Sequence, residues 1–159
     1  MRILGIDPGY AIIGFGIVDY QGSTFKTVEY GAILTQAEMD FSDRLAQIYE
    51  DMCALLTRYR PQAMAVEELF MGQNKTTGIK VAEARGVILL ACRQHHVPVF
   101  EYTPLQVKSA VTGYGKAVKT QVMDMTRRIL HLSEIPKPDD AADALAIAIC
   151  HGHCAKPDY

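Results

Sequence analysis

The chain has 159 residues, 49% of them apolar and 21% charged, with a net charge of −2. This ordinary globular composition gives room for one sizeable core, so a single domain over residues 1–159 is expected. No apolar run reaches the ~18 residues of a membrane span, and Arg2 leads straight into a strand-like run rather than a signal peptide, so a cytoplasmic protein with no membrane partner is expected. The charge balance gives no global sign of nucleic acid; cations that bind phosphates would have to be gathered locally.

In chain order, residues 2–7 ("RILGID"), 14–20 ("GFGIVDY") and 24–34 ("TFKTVEYGAIL") read as strands, separated by the turns "PGYAIIG" and "QGS". Short turns between successive strands predict an antiparallel meander. Phe41, Leu45, Ile48, Met52, Leu55 and Tyr59 then recur at spacings of four and three, the stripe of a helix over 40–60 that ends at Pro61. Residues 62–69 ("QAMAVEEL") are apolar on both faces, as a buried parallel strand requires. A helix over 76–95 is apolar all round from Val87 to Cys92, which implies a second surface such as a partner subunit.

The pattern continues with a strand over 97–102, a short helix over 104–112 and a flexible glycine loop, "TGYGK", over 112–116. An amphipathic helix over 118–131 follows, and "PKP" leads into a last helix over 139–151. The fold class expected is α/β, a mixed five-stranded sheet made of a three-strand antiparallel meander plus parallel strands, flanked by helices. Cys53, Cys92, Cys150 and Cys154 lie mostly in helical patterns and are expected reduced. The Cys150, His151, His153, Cys154 group lacks the paired-knuckle spacing of structural zinc modules and is read as a frayed helix end.

Four acidic residues from three distant segments stand at the ends of apolar runs: Asp7, Glu67, Asp140 and Asp143. A carboxylate so placed loses solvation and calls for a partner or a cation. Converging carboxylates suit Mg²⁺, and paired divalent ions cleave phosphodiesters. Each also has a plainer reading. Asp7 before Pro8-Gly9 could be a turn aspartate, and Glu67 or Glu68 an exposed strand end, only one of the two facing a site. Asp139 fits an N-cap, with acids in the first helical turn after it. Asp140 and Asp143, three apart, share a helix face.

Taken in order, "GIDPG", "VEELF" and "DDAADALAIA", with "ARGVILLA", "VPVFEYTPLQVK" and "KTQVMDM" between them, resemble the RuvC family of Holliday junction resolvases, in the RNase H-like superfamily. The resemblance spans nearly the whole chain. It implies an RNase H-like sheet and Mg-dependent nicking of four-way DNA, with two Mg²⁺ ions per site for which Mn²⁺ can substitute. Asp7, Glu67, Asp140 and Asp143 would be the metal ligands, Asp7 bridging the ions. Whether Asp139 or Asp140 is the third ligand stays open. Lys108 and Lys119 match basic residues beside the site, with Lys119 stabilising the reacting phosphate. Phe70 matches an aromatic that stacks at the junction centre. The resemblance further implies a homodimer, with the apolar 87–92 segment at its interface, and a branch-migration motor complex of the RuvA and RuvB type as partner.

Three rival readings were weighed. "GIDPGYAIIGFG" is similar to the first phosphate loop of sugar-kinase and actin-like ATPases, but those bind nucleotide between two domains that 159 residues cannot both supply. A non-catalytic nucleic-acid module would leave the four acids as mere caps. Another RNase H-like nuclease, acting on RNA, would lack a use for Phe70 and the apolar helix.

Overall fold

The structure, a computed structural model, describes residues 1–69, 72 and 75–156. Ten elements follow one another: β1 (Arg2–Asp7), β2 (Ile12–Gln21), β3 (Thr24–Leu34), α1 (Phe41–Tyr59), β4 (Ala63–Glu67), α2 (Lys75–Gln94), β5 (Val99–Tyr102), α3 (Pro104–Thr112), α4 (Lys119–Ile129) and α5 (Asp139–Cys154). They form one five-stranded sheet in the order β3-β2-β1-β4-β5. β1, β2 and β3 pair antiparallel, whereas β4 and β5 run parallel to β1. The expected meander-plus-parallel sheet is therefore the one observed.

Local chemistry accounts for the punctuation. Gly22 and Ser23 both take positive φ, 54° and 70°, the backbone that a tight two-residue hairpin between β2 and β3 demands. α3 opens on a capping box: Thr103 Oγ1 accepts from Gln106 N at 3.1 Å, and Gln106 Oε1 accepts from Thr103 N at 2.8 Å. It closes on Gly113 at φ 78°.

Alternation along the strands sends side chains into two cores. Leu4, Ile6, Ile13, Ile17, Met64 and Val66 pack under α1 and α2. Ile3, Val18 and Ala65 face the other way, towards α3, α4 and α5. By the same alternation Gly5 and Asp7 face α5. α5 is the most deeply buried helix, with every residue from Ala144 to Gly152 buried. Its seat on the sheet is made of glycines. A Cβ on Gly5 would stand 2.0 Å from the Ala144 carbonyl oxygen, and one on Gly14 1.9 Å from that of Asp140. One on Gly16 would stand 2.6 Å from Leu145 Cδ2.

Several boundaries differ from the sequence reading. β2 begins at Ile12 rather than 14, because the residues after the first turn already pair with β3. β4 covers only 63–67 and β5 only 99–102. α5 runs on to Cys154, so the Cys150–Cys154 group is helical rather than frayed. Within it His151 is buried, its Nδ1 2.6 Å from the Tyr102 hydroxyl, and His153 Nδ1 lies 2.8 Å from the Ala110 carbonyl. Nor is Asp139 an N-cap: Pro138 holds that position and Asp139 is the first helical residue. Among the described residues no helix is long and apolar enough to cross a membrane.

The glycine seat yields a direct test. Gly14→Ala must push α5 off the sheet, since the obstructing atoms are backbone. Overpacking of this kind costs about 1–3 kcal/mol, so thermal melts should show a Tm lower by roughly 5–10 °C. An unchanged Tm would show that α5 shifts freely.

Candidate active site

Asp7 and Glu67 end neighbouring parallel strands, one step beyond the paired Ile6 and Val66. Glu67 shares its face with Ala63 and Ala65, so both carboxylates project on the side that α5 covers. Glu68 points elsewhere and is exposed. Across β1, Asp7 pairs with Gly14, and Gly14 lies directly beneath Asp140 of α5. A glycine in β2 thus lets the first turn of α5 descend onto the end of β1. Asp140 and, one turn further, Asp143 both crowd the Asp7 carboxyl, each close enough to share a proton with it.

Of the two adjacent acids at the start of α5, the structure turns Asp140 inwards and leaves Asp139 exposed, 3.9 Å from Lys119 Nζ. Lys119, the first residue of α4, stands 3.6 Å from Asp143 Oδ2. Lys108 on α3 sits near enough to Glu67 to oppose the rise in its pKa. Asp7, Glu67, Asp143, Lys108 and Lys119 line one cavity of about 520 Å³, walled by Val107, Val122, Ala146 and Ile147. Asp140 is not on its lining. Phe70 lies outside the described residues.

The sequence reading missed Lys116, which lines the same cavity. It sits on the loop between α3 and α4, read from its glycines as flexible. Instead the loop is a hydrogen-bonded turn: Thr112 Oγ1 accepts from Tyr114 N at 3.1 Å, and the Tyr114 carbonyl accepts from Ala117 N at 3.1 Å. The available signal was the spacing of Lys116 three residues before Lys119.

The electrostatics follow from the crowding. Burial raises the Asp7 pKa from 3.8 to about 8, helped by the charges of Asp143 and Asp140, the Asp140 hydrogen bond and the charge of Glu67. Burial likewise raises Glu67, with Asp143 adding to the rise and Lys108 opposing it. Asp143 is raised by burial against the pull of Lys119. Carboxyls brought together at this cost fit a divalent cation, and an all-oxygen donor set fits a hard one. Among the described residues no three of them close into a ready-made metal cage, so the set is gathered within electrostatic reach rather than locked at ligand distance.

A family model described as crossover junction endodeoxyribonuclease RuvC matches residues 3–151. The chain belongs to the RuvC family. The family's metal-dependent hydrolysis of DNA at crossover junctions comes with that membership. A RuvC of Brevibacillus brevis is 58% identical over 151 residues, 95% of this chain and 91% of the relative. One of Caldicellulosiruptor saccharolyticus is 52% identical, over 95% and 92%. Among solved structures, Thermus thermophilus RuvC superposes with a TM-score of 0.90 at 38% identity, over 96% of this chain and 94% of that one. Another, of T. thermophilus RuvC in complex with Holliday junction substrate, gives 0.89 at 36% identity over the same shares. The RNase H-like fold class stands with these matches.

The raised pKa of Asp7 sets a pH dependence for the metal-free protein. Between 3.8 and about 8 the folded state holds a proton that the unfolded state has released, so stability falls as pH rises through this window. Glu67 and Asp143 shift in the same direction and reinforce the trend. Asp7→Asn should therefore melt higher than the native chain at pH 8 in chelator, with the gap closing towards pH 4. Equal Tm values at pH 8 would show that Asp7 is not crowded as described.

Proposed function

We propose that this RuvC-family chain nicks four-way DNA junctions symmetrically as a homodimer, with two Mg²⁺ ions held at each site by Asp7, Glu67, Asp140 and Asp143. The observation that carries the reading is the single cavity where carboxylates from β1, β4 and α5 face lysines from α3, α4 and the loop between them. Its acidic floor suits the cations and its basic wall suits a DNA phosphate. The described junction complex of T. thermophilus RuvC, at 36% identity, supports the substrate. A single domain over 1–159 acting in the cytoplasm, with a branch-migration motor of the RuvA and RuvB type as partner, belongs to the same reading.

Bound divalent ions supply a water of lowered pKa and positive charge for the leaving oxygen, and Mn²⁺ can do the same. Asp7, flanked by Glu67 on one side and by Asp140 and Asp143 on the other, would hold both ions. Asp140, crowded against Asp7, is assigned to orient the attacking water. Lys119 directs its charge to the phosphate as that group gains negative charge. Lys108 and Lys116 hold the strand against the cavity wall. Water attacks phosphorus, the P–O3′ bond breaks and the 3′ oxygen takes up a proton, leaving a 5′-phosphate and a 3′-hydroxyl. Phe70 is assigned to stacking on a base at the junction centre.

The homodimer draws support from α2. Leu90 and Ile79 are 51% and 52% exposed, and Val87 and Leu89 only half-buried. Gly86, in mid-helix, has nothing within 4 Å of where a Cβ would be. A glycine there costs about 1 kcal/mol of helix propensity, and no contact among the described residues requires it. Close approach of a second α2 would. Leu90→Asp should then yield monomers by light scattering and abolish paired incision, because symmetric cutting needs two identical sites. A native chain that scatters as a monomer at working concentration would sink the dimer.

The decisive assay offers the protein a synthetic four-way junction, a linear duplex and an RNA–DNA hybrid, each with and without Mg²⁺. Cleavage should be confined to the junction with Mg²⁺ present. Asp7→Asn, Glu67→Gln and Asp143→Asn should each lower it by roughly 100-fold or more while leaving binding intact. Asp140→Asn should be severe and Asp139→Asn mild. Ca²⁺ should support binding without cutting. Near-native cleavage by Asp7→Asn would refute the ligand assignment.

A further inference from the structure

On the far side of the same sheet rim, a second cluster has no part in the chemistry above. Arg44, in the first turn of α1, is 7% exposed. Its Nε donates to Thr35 Oγ1 at 2.9 Å, and that hydroxyl donates to the Tyr10 carbonyl. The Arg44 guanidinium carbon lies 5.0 Å from the centroid of the Tyr10 ring. Lys80 of α2 brings its Nζ to 5.6 Å from the same ring and 5.6 Å from that of Phe41. Among the described residues neither cation makes an ion pair.

This is an unusual way to hold two positive charges. A buried cation ordinarily has a carboxylate partner, because desolvation otherwise goes uncompensated. Ring faces offset a small part of that cost. The outer amino groups of Arg44 have no protein acceptor among the described residues, yet the Thr35–Tyr10 relay fixes the orientation of the fork. A planar fork held in place beside a lysine and lacking an anion is complementary to phosphate.

Position gives the source of the phosphate. Tyr10 is three residues beyond Asp7, so at most about 10 Å of chain separates them. Thr35 follows β3 directly, and its N–H bonds Ala11 of the β1–β2 turn at 3.0 Å. Arg44 and Lys80 belong to the opening turns of their helices, which start at this end of the sheet. The cluster and the carboxylates therefore share one rim, the carboxylates on the α5 side and the cations on the α1–α2 side.

We propose that Arg44 and Lys80, gathered around Tyr10, form a second phosphate-binding site that grips the DNA backbone next to the cleavage centre. It rests on the reading of the chain as a junction-cutting nuclease. A strand laid across the rim has its reacting phosphate at the carboxylates and a neighbouring stretch of backbone on this cluster, which fixes the strand's approach.

The test measures metal-free binding to a four-way junction by fluorescence anisotropy over a series of KCl concentrations. Each lost phosphate contact on duplex DNA flattens the slope of log K against log salt by about 0.9. Lys80→Gln should show that loss with an unchanged Tm, and Lys26→Gln, at the opposite end of the sheet, should show none. Arg44→Gln should lose more, and Arg44→Lys should regain part of it. If Arg44→Gln is too unstable to use, Lys80→Gln decides alone. A Lys80→Gln slope equal to that of Lys26→Gln overturns the proposal. So does a lower Tm with unchanged affinity per folded molecule, which would make the cluster a latch between helices. A parallel titration with inorganic phosphate separates the sources: protection that needs Lys80, without any change in DNA slope, would assign the site to a free anion and overturn the DNA reading. Failure of the nuclease reading would appear separately, as a native chain that does not cut junctions with Mg²⁺.

Discussion

The contact on which the rest of the molecule depends is the descent of α5 onto β1 and β2. Three glycines, Gly5, Gly14 and Gly16, remove the side chains that would hold the helix away, and the alanines of α5 complete the fit. The result is both core and active site. Ala144, Ala148 and Leu145 bury the sheet, and the same close approach delivers Asp140 and Asp143 to Asp7. A helix seated at ordinary distance would bury a similar area and leave those carboxyls out of reach. Packing and chemistry are set by one van der Waals constraint.

That constraint works against electrostatics, and the fold contains partial remedies. Asp140 and Asp143 lie in the first turns of α5, where the helix dipole favours negative charge. Lys119 stands at the head of α4 within 3.6 Å of Asp143, and Lys108 acts on Glu67. In the proposed function both lysines also face the DNA phosphate, so they cannot neutralise the acids and bind substrate with full strength together. The acids remain under-compensated, as the rise of Asp7 to about 8 records. In the proposed function such a site gains stability from cations and then presents a less negative floor to DNA.

Much of this was legible in the residues. Alternation and turn signals placed the meander, and the four-three stripe from Phe41 to Tyr59 placed α1. Asp7 and Glu67 stood out because a charge closing an apolar strand loses solvation and calls for a partner or a cation. The ordered set of motifs supplied the family. Other features depend on three-dimensional placement that no local pattern encodes. Asp139 looked like a cap because aspartate favours that position, yet Pro138 takes it, and Gly14 brings the Asp140 backbone down onto the end of β1 while Asp139 stays exposed. Lys116 was lost in a glycine loop that Thr112 ties down through Tyr114. Arg44 falls outside the apolar stripe that marks α1, and nothing in that pattern singles out an arginine that is buried with no ion pair among the described residues.

The two sources of the carboxylates differ in one further respect. Asp7 and Glu67 end strands joined by backbone hydrogen bonds, so the ladder fixes the distance between them. Asp140 and Asp143 ride on a helix held by non-bonded packing over Gly5, Gly14 and Gly16 rather than by a hydrogen-bonded ladder. In the proposed donor set one half is therefore a fixed jaw and the other a movable one. Evolutionary retuning of ion size would act on the movable jaw, through substitutions among the α5 alanines and the residues beneath them. The strand ends would stay as they are.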